Sequence, residues 1–391
     1  MDKLLEMETR DHAILSASSS HRWLECTPSA RAEEAYPDEG SDFAREGSLA
    51  HAIAAKKLKV ELGLPYFSET AEIRALSEYL TGEMEEYTSD YCDFVMEKYL
   101  EADRNTAEGA VRPTIFIEKR LDFSKWVPEG FGTGDAVIVS DGLVEVIDFK
   151  YGKGVAVSAE NNSQMMLYAL GAVDELDYCY PFDTVRMTIY QPRIGNISTW
   201  ECTVCDLERW AGKVQALASV AWRGLGARKS GEWCKFCRAK GDCPRLAADN
   251  IAVRYVNAGS DMMTEGEISE VLEMLPLMKD WAKAVEERSL ELALSGKDIP
   301  GYKVVEGRSV RKITDNRGVV FALMSLGAKQ EDLFKPMELK TLTELEKMFG
   351  KKEFNRLCGG FIEKPAGKPT LVKDSDKRKE INRNDFADLE F

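Results

Sequence analysis

The stretch from Gly132 to Lys150 constrains the fold more than any other part of the chain. It consists of two largely apolar runs joined by Asp141-Gly142, and it carries Asp135 in the first run and Asp148-Phe149-Lys150 at the end of the second. Asp-Gly is a favoured two-residue hairpin turn. With that turn, Ser140 faces Leu143 and Asp135 falls opposite Asp148. Directly opposed residues share a sheet face, with Cβ atoms roughly 4.5–5.5 Å apart. Lys150 lies two residues beyond Asp148 and points to the same face. Two carboxylates this close repel unless a cation or a proton lies between them. A divalent cation meets that demand, and Mg²⁺ prefers such oxygen ligands while keeping some of its water. Lys150 is then placed to orient or help deprotonate a water, or to stabilise charge developing on a phosphate. An isolated Asp-x-Lys is common on a solvated edge hairpin; the opposed Asp135 gives it chemical meaning.

Around this hairpin the pattern is α/β. Period-two runs predict strands over Thr114–Leu121, Thr133–Ser140, Leu143–Lys150, Val185–Gln191 and Ile197–Val204. Before them, Ser18-Ser19-Ser20 precedes a helix containing Trp23 and Leu24, and another helix runs from about Glu46 to Leu62. Leu76, Leu80, Met84, Tyr87, Tyr91 and Phe94 recur at helical spacing, predicting one long helix from Ile73 to Tyr99. A helix from about Asn162 to Leu176 separates the third and fourth strands. Another, capped by Asp206, runs to about Leu225. Farther on, Thr264-x-x-Glu267 is a capping box opening a helix through Leu294, with a kink expected at Pro276. A short strand over Tyr302–Val305 and helices near 316–326 and 341–357 follow. From Pro365 the chain is polar and charged, and reads as a flexible tail.

The formal net charge of −15 is unevenly spread, with ten bases against five acids between 206 and 254. Phosphate attraction depends on local patches more than on total charge, so an acidic chain remains compatible with nucleic-acid binding. No apolar run approaches the ~20 residues of a membrane span, and the first ten residues lack a signal peptide's apolar stretch. An intracellular location is therefore expected, and there nine cysteines argue for metal or cluster ligation by some of them rather than for a disulfide framework.

These motifs resemble those of the RecB-like branch of the PD-(D/E)XK nucleases. In that family an acid on one strand and an acid-x-Lys on the next bind the catalytic metal; Asp135, Asp148 and Lys150 match. Gln164-Met165-Met166-Leu167-Tyr168 fits the branch's Gln-x-x-x-Tyr, whose two residues lie on one helical face. Gly47-Ser48-Leu49-Ala50-His51 fits its Gly-x-x-x-His, which makes His51 a further metal ligand by resemblance. Glu118, on the preceding strand, is a weaker candidate acid, because Glu-Lys-Arg is also a plain surface sequence. Cys234-x2-Cys237-x5-Cys243 before Pro244, together with Cys26 in Trp23-Leu24-Glu25-Cys26-Thr27-Pro28, resembles the iron–sulfur subset of the branch, including AddB-type helicase-nucleases. Thr27 before Pro28 departs from the usual Cys-Pro. Four thiolates suit a [4Fe–4S] cluster, and Zn²⁺ can accept the same set. Cys202-x2-Cys205 reads as core packing, and Cys92, Cys179 and Cys358 as buried or incidental.

The resemblance covers residues 13–250 and implies an α/β fold with a restriction-endonuclease-like PD-(D/E)XK core. A helical N-terminal part, an iron–sulfur clasp and a mostly helical C-terminal region complete it. It divides the chain into a nuclease domain over 1–255, a mostly α-helical accessory region over 256–364 and a charged tail over 365–391. The implied activity is Mg²⁺- or Mn²⁺-dependent hydrolysis of DNA, single-stranded or with free ends, by an exonuclease in the cytoplasm of a prokaryotic or phage-infected cell. Tyr151-Gly152-Lys153-Gly154 and Gly367-Lys368-Pro369-Thr370 resemble a phage-encoded group of such enzymes, implying replication, recombination or end processing. Two other readings are a non-catalytic DNA-binding or recombination scaffold and a zinc-stabilised interaction protein. The acidic, Phe-ended segment Asn384–Phe391 is a candidate docking peptide for a replication or recombination protein.

Overall fold

The computed structural model describes residues 13–304, apart from 38–39, 41, 67–75, 109, 179–180 and 253–263, together with Gly350 and Arg356. The chain forms two compact units, 1–311 and 312–391, and every element below belongs to the first. Cys179, Cys358, the helices expected near 316–326 and 341–357, and the tail fall outside the described residues.

Eight α-helices and five strands are found among the described residues. The helices are α1 (Ser20–Trp23), α2 (Ser29–Glu33), α3 (Asp42–Glu61), α4 (Gly82–Asn105), α5 (Ser163–Leu176), α6 (Val204–Trp222), α7 (Pro244–Ala252) and α8 (Glu265–Leu294). The strands are β1 (Thr114–Asp122), β2 (Phe131–Ser140), β3 (Gly142–Phe149), β4 (Phe182–Gln191) and β5 (Asn196–Thr203). They form one mixed sheet in chain order. β3 and β4 pair in parallel, and the other neighbours pair antiparallel. A parallel pair needs a crossover, and α5 is that crossover. No helix among the described residues is long and apolar enough to cross a membrane.

The β2–β3 hairpin has the expected register, from Ser140↔Leu143 to Ala136↔Ile147. Gly142 takes φ 74° at the turn, a conformation that costs glycine little. Side-chain alternation along the hairpin sends Val137, Val139, Val144 and Val146 into a core under α5 and α6. Ala136, Ile138, Ile147 and Phe149 go into a second core under α3 and α4. Both faces of the sheet are thus covered, which explains why the strands read as nearly continuous apolar runs.

Several boundaries differ from the sequence reading, each for a local reason. Of the helix expected from Ile73 to Tyr99, residues 73–75 fall outside the described residues and Leu76 to Thr81 lie outside α4: Thr81 is extended, and its side chain accepts a hydrogen bond from the Met84 amide. Ser77–Tyr79 form a separate 3₁₀ turn, and Leu80 is exposed. The expected single helix around Trp23 is two short ones, and Cys26 lies in the break between them. Thr203, not Asp206, caps α6, because its hydroxyl accepts from the Asp206 amide. Residues 302–304 form no strand. Cys205 is exposed, unlike its neighbour Cys202, which packs against the first core. The Thr264–Glu267 capping box is present, and Pro276 lies inside α8.

Candidate functional site

The end of the hairpin departs from ideal alternation, and this departure builds the site. The β1–β2 ladder is continuous except at one step: Ile117 pairs with Ala136 and Lys119 with Gly134, but no pair joins Glu118 and Asp135. Glu118 has φ 53°, a left-handed conformation that a residue with a side chain rarely adopts. A Cβ on Gly134 would point toward Leu121 and Val137, on the α5 face, whereas Ala136 faces α3 and α4. The pleat slips by one residue between them. Such irregularities re-aim side chains at sheet edges.

As a result Asp135 turns toward α3. Its Oδ1 lies 3.0 Å from Nδ1 of His51, and its Oδ2 accepts the Phe149 amide at 2.7 Å. His51, Glu118 and Asp135 present ligand atoms that all lie within 4.8 Å of one another. The pocket around them is completed by Ala54, Ala55, Leu58, Tyr91 and Phe149. Asp148, by contrast, stays on the α5 face. Its Oδ1 accepts from Nε2 of Gln164 at 3.2 Å, and its Oδ2 lies 3.0 Å from Nζ of Lys150. Asp135 and Asp148 thus lie together at the hairpin's end, each within reach of the other's charge, with Asp135 hydrogen-bonded toward α3 and Asp148 toward α5.

The α5 side is set by that helix's first turn. Asn162 accepts the amides of Gln164 and Met165, fixing where the helix starts. Gln164 then bridges three groups. Its Oε1 accepts from Lys150 at 3.0 Å, while its Nε2 contacts Asp148 and, at 3.3 Å, the Tyr168 hydroxyl. Gly132 makes room for Tyr168, because a Cβ there would lie 2.6 Å from the ring.

The electrostatics follow from this crowding. Burial is the largest influence on His51 and pulls its pKa down. The charge and hydrogen bond of Asp135, with the charge of Asp148, outweigh it and raise His51 to about 9. Burial also works on Asp135, but His51 and the Phe149 amide prevail and hold that carboxyl below its ordinary range. Asp148 is pushed up, first by burial and then by Asp135 against the opposing pull of Lys150. Glu118 is exposed at the pocket's rim yet crowded by protein. Loss of water, then repulsion from Asp135, pushes it up to about 7. Four ionisable groups with mutually shifted affinities for protons mark a place where added positive charge is favourable.

The second candidate site lies around the cysteines. Cys26, Cys234, Cys237 and Cys243 line a single pocket, together with Arg22, Lys229, Trp233 and Lys240 among others. Two 3₁₀ turns, Glu232–Phe236 and Arg238–Asp242, space the last three cysteines. Cys26 is brought to them by contacts that the sequence did not reveal. Arg22 pairs with Glu33 at 2.7 Å and donates to the Phe236 carbonyl, and Glu33 accepts the Arg238 amide at 2.8 Å. Thr27 donates to the Leu225 carbonyl, and Arg31 to that of Trp222. Asp242 accepts from Tyr36 and from Arg288 of α8. Burial, then the nearby Glu33 charge, pushes the Cys237 thiol up to about 12; burial also raises Cys234.

Two comparisons with known proteins gave matches. The profile of the family described as "Protein of unknown function (DUF2800)" matches residues 12–379. A solved structure described as "Crystal structure of SSO0001" is similar over 62% of this chain and 92% of its own, at 14% identity and a TM-score of 0.28.

Proposed function

This chain belongs to the family described as "Protein of unknown function (DUF2800)", and we propose that it is a divalent-metal-dependent DNA nuclease with a RecB-like PD-(D/E)XK core. The observation that carries this reading is the pairing of two arrangements at one hairpin end. One is the His51–Glu118–Asp135 group, whose ligand atoms lie within 4.8 Å of one another. The other is Lys150, held between Asp148 and Gln164 at 3.0 Å from each. Two carboxylates and an imidazole suit a hard or borderline cation such as Mg²⁺ or Mn²⁺, with Asp148 close enough to act on the same charge.

When bound, the cation supplies Lewis-acid polarisation of a phosphate and acidification of water. The protein's own residues supply the rest. Asp135 is locked by the Phe149 amide and His51, so its free lone pairs are aimed rather than mobile. Lys150 offers an ammonium to a phosphate oxygen or to a water, and Gln164 fixes its direction. Tyr168 steadies Gln164 from one helical turn away. A single-stranded or free-ended DNA substrate and an exonucleolytic mode are the family-weighted form of the proposal. The setting proposed with it is phage replication, recombination or end processing in the cytoplasm.

The cysteine pocket supports a companion proposal, a structural [4Fe–4S] cluster on Cys26, Cys234, Cys237 and Cys243. Four soft thiols lining one pocket fit iron–sulfur or zinc, and hard cations poorly. Iron, sulfide and zinc analysis of anaerobically purified protein decides between them.

The activity test is incubation with end-labelled single- and double-stranded DNA, with and without Mn²⁺ or Mg²⁺. Cation-dependent cleavage by the wild type that disappears in Asp148→Ala/Lys150→Ala is the expected result. Full cleavage by that double variant would overturn the site. DNA binding with no cleavage under any cation would favour the scaffold reading.

A further inference from the structure

Tyr91 lies on α4 and is almost wholly buried, its ring stacked on Phe149 with centroids 4.6 Å apart and planes 27° from parallel. Phe149 in turn meets His51 edge-on at 5.4 Å and donates its amide to Asp135. Packing alone would be served equally well by phenylalanine. The Tyr91 hydroxyl is buried with no hydrogen-bond partner among the described residues. Buried polar atoms are nearly always satisfied, and a group left unpaired carries a real desolvation cost, so a lone hydroxyl here calls for a reason.

Its surroundings give one. Tyr91 lines the same pocket as His51, Glu118 and Asp135. Burial, then the charges of Asp135, Asp148 and Glu118, pushes its phenol well above the ordinary range. A phenol is protonated at neutral pH, so the hydroxyl is a donor among acceptors.

We propose that Tyr91 is a positioning residue of the cation site: its hydroxyl donates a hydrogen bond to a ligand oxygen in the pocket once a divalent cation has drawn those oxygens together. The proposal rests on the cation reading above and assigns a role to a helix whose sequence carries no site motif. Groups that orient metal ligands in this way typically contribute about 10- to 100-fold in affinity. Their signature is separable from packing. The metal-free protein gains nothing from the hydroxyl, whereas the loaded protein does.

The experiment uses full-length wild type, Tyr91→Phe and Tyr190→Phe, with Mn²⁺ as the probe. Tyr190 is a ring neighbour of Tyr91 at 5.6 Å that does not line the pocket. Free Mn²⁺ is followed by electron paramagnetic resonance during titration, and thermal melting is measured in chelator. Tyr91→Phe should bind Mn²⁺ roughly 10-fold or more weakly while melting in chelator at the wild-type temperature or higher. Tyr190→Phe should bind like wild type. Three results would overturn the proposal: unchanged affinity in Tyr91→Phe, weaker binding accompanied by a lower melting temperature in chelator, or an equal loss in Tyr190→Phe. A wild type that fails to bind Mn²⁺ at all would instead remove the cation site on which the proposal stands.

Discussion

The hairpin site and the cysteine pocket solve the problem of holding ligands in opposite ways. At the hairpin, Asp148 and Gln164 come from a paired strand and the first turn of α5, and Asp135 and Lys150 lie directly beside paired strand residues. His51 joins them from α3 through a hydrogen bond to Asp135 across 84 residues and an edge-on contact with Phe149. In the cysteine pocket little is fixed by regular structure: Cys26 lies between two short helices, Cys234 lies on a 3₁₀ turn, and Cys237 and Cys243 flank the turns. The two segments are tied by side chains reaching across about 200 positions, such as Arg22 to the Phe236 carbonyl. The first site inherits its precision from the core. The second depends on its own polar clasp, because closing so long a loop carries an entropic cost.

The sharpest way to break this contrast is Arg22→Ala. The Arg22–Glu33 pair is buried, with side chains 10% and 6% exposed. Removing one partner of such a pair strands the other and costs about 3–5 kcal/mol. Denaturant titration should show that loss, with Mn²⁺ affinity at the hairpin site unchanged in the protein that remains folded. A loss of both together would mean that the two sites are one cooperative construction.

Lys150→Ala probes the other side. Cleavage should fall at least ~100-fold, as when an electrostatic stabiliser is removed. The melting temperature should change little, because Lys150 is partly exposed and Asp148, already pushed up, can take a proton. Single-turnover cleavage and circular dichroism melting check the pair of outcomes.

Changing Cys26 to Ser should be as damaging as changing Cys237 to Ser, despite their distance in sequence. On the proposed cluster reading, each should lower the iron content and cost on the order of 3 kcal/mol of stability, by analogy with a crosslink closing a long loop. Cys205→Ser, at an exposed position on α6, is the control and should retain full iron content. Iron that survives in Cys26→Ser would remove that residue from the set.

The smallest expected effect is local. In Gly132→Ala, the new Cβ meets the buried Tyr168 ring and must displace it, at a cost of about 1–3 kcal/mol typical of overpacking. Cleavage should fall only through the disturbed Tyr168–Gln164 contact, so further removal of the Tyr168 hydroxyl in the same background should add little.

Much of this was legible in the residues because the signals were local. The Asp141-Gly142 turn set the hairpin register, and period-two runs placed all five strands to within a few residues. Asn162 marked the start of α5, and four-residue spacing placed Gln164 and Tyr168 on one face. At Thr81 cap chemistry competed with apolar periodicity and the cap decided; at Thr203 the choice lay between two capping residues, and the hydroxyl three positions before Asp206 took the role.

What the sequence determined by itself was which residues stand near one another along a strand or a helix turn, since backbone geometry fixes those distances. Only the tertiary structure decided which way Asp135 turns, because the Glu118 backbone breaks the alternation that the sequence pattern assumed. It likewise raised Glu118 from a surface-like motif to a member of the ligand group, and brought in Tyr91, Arg22 and Glu33. Those placements depend on contacts between segments far apart in the chain, and such contacts form only where two packed surfaces meet.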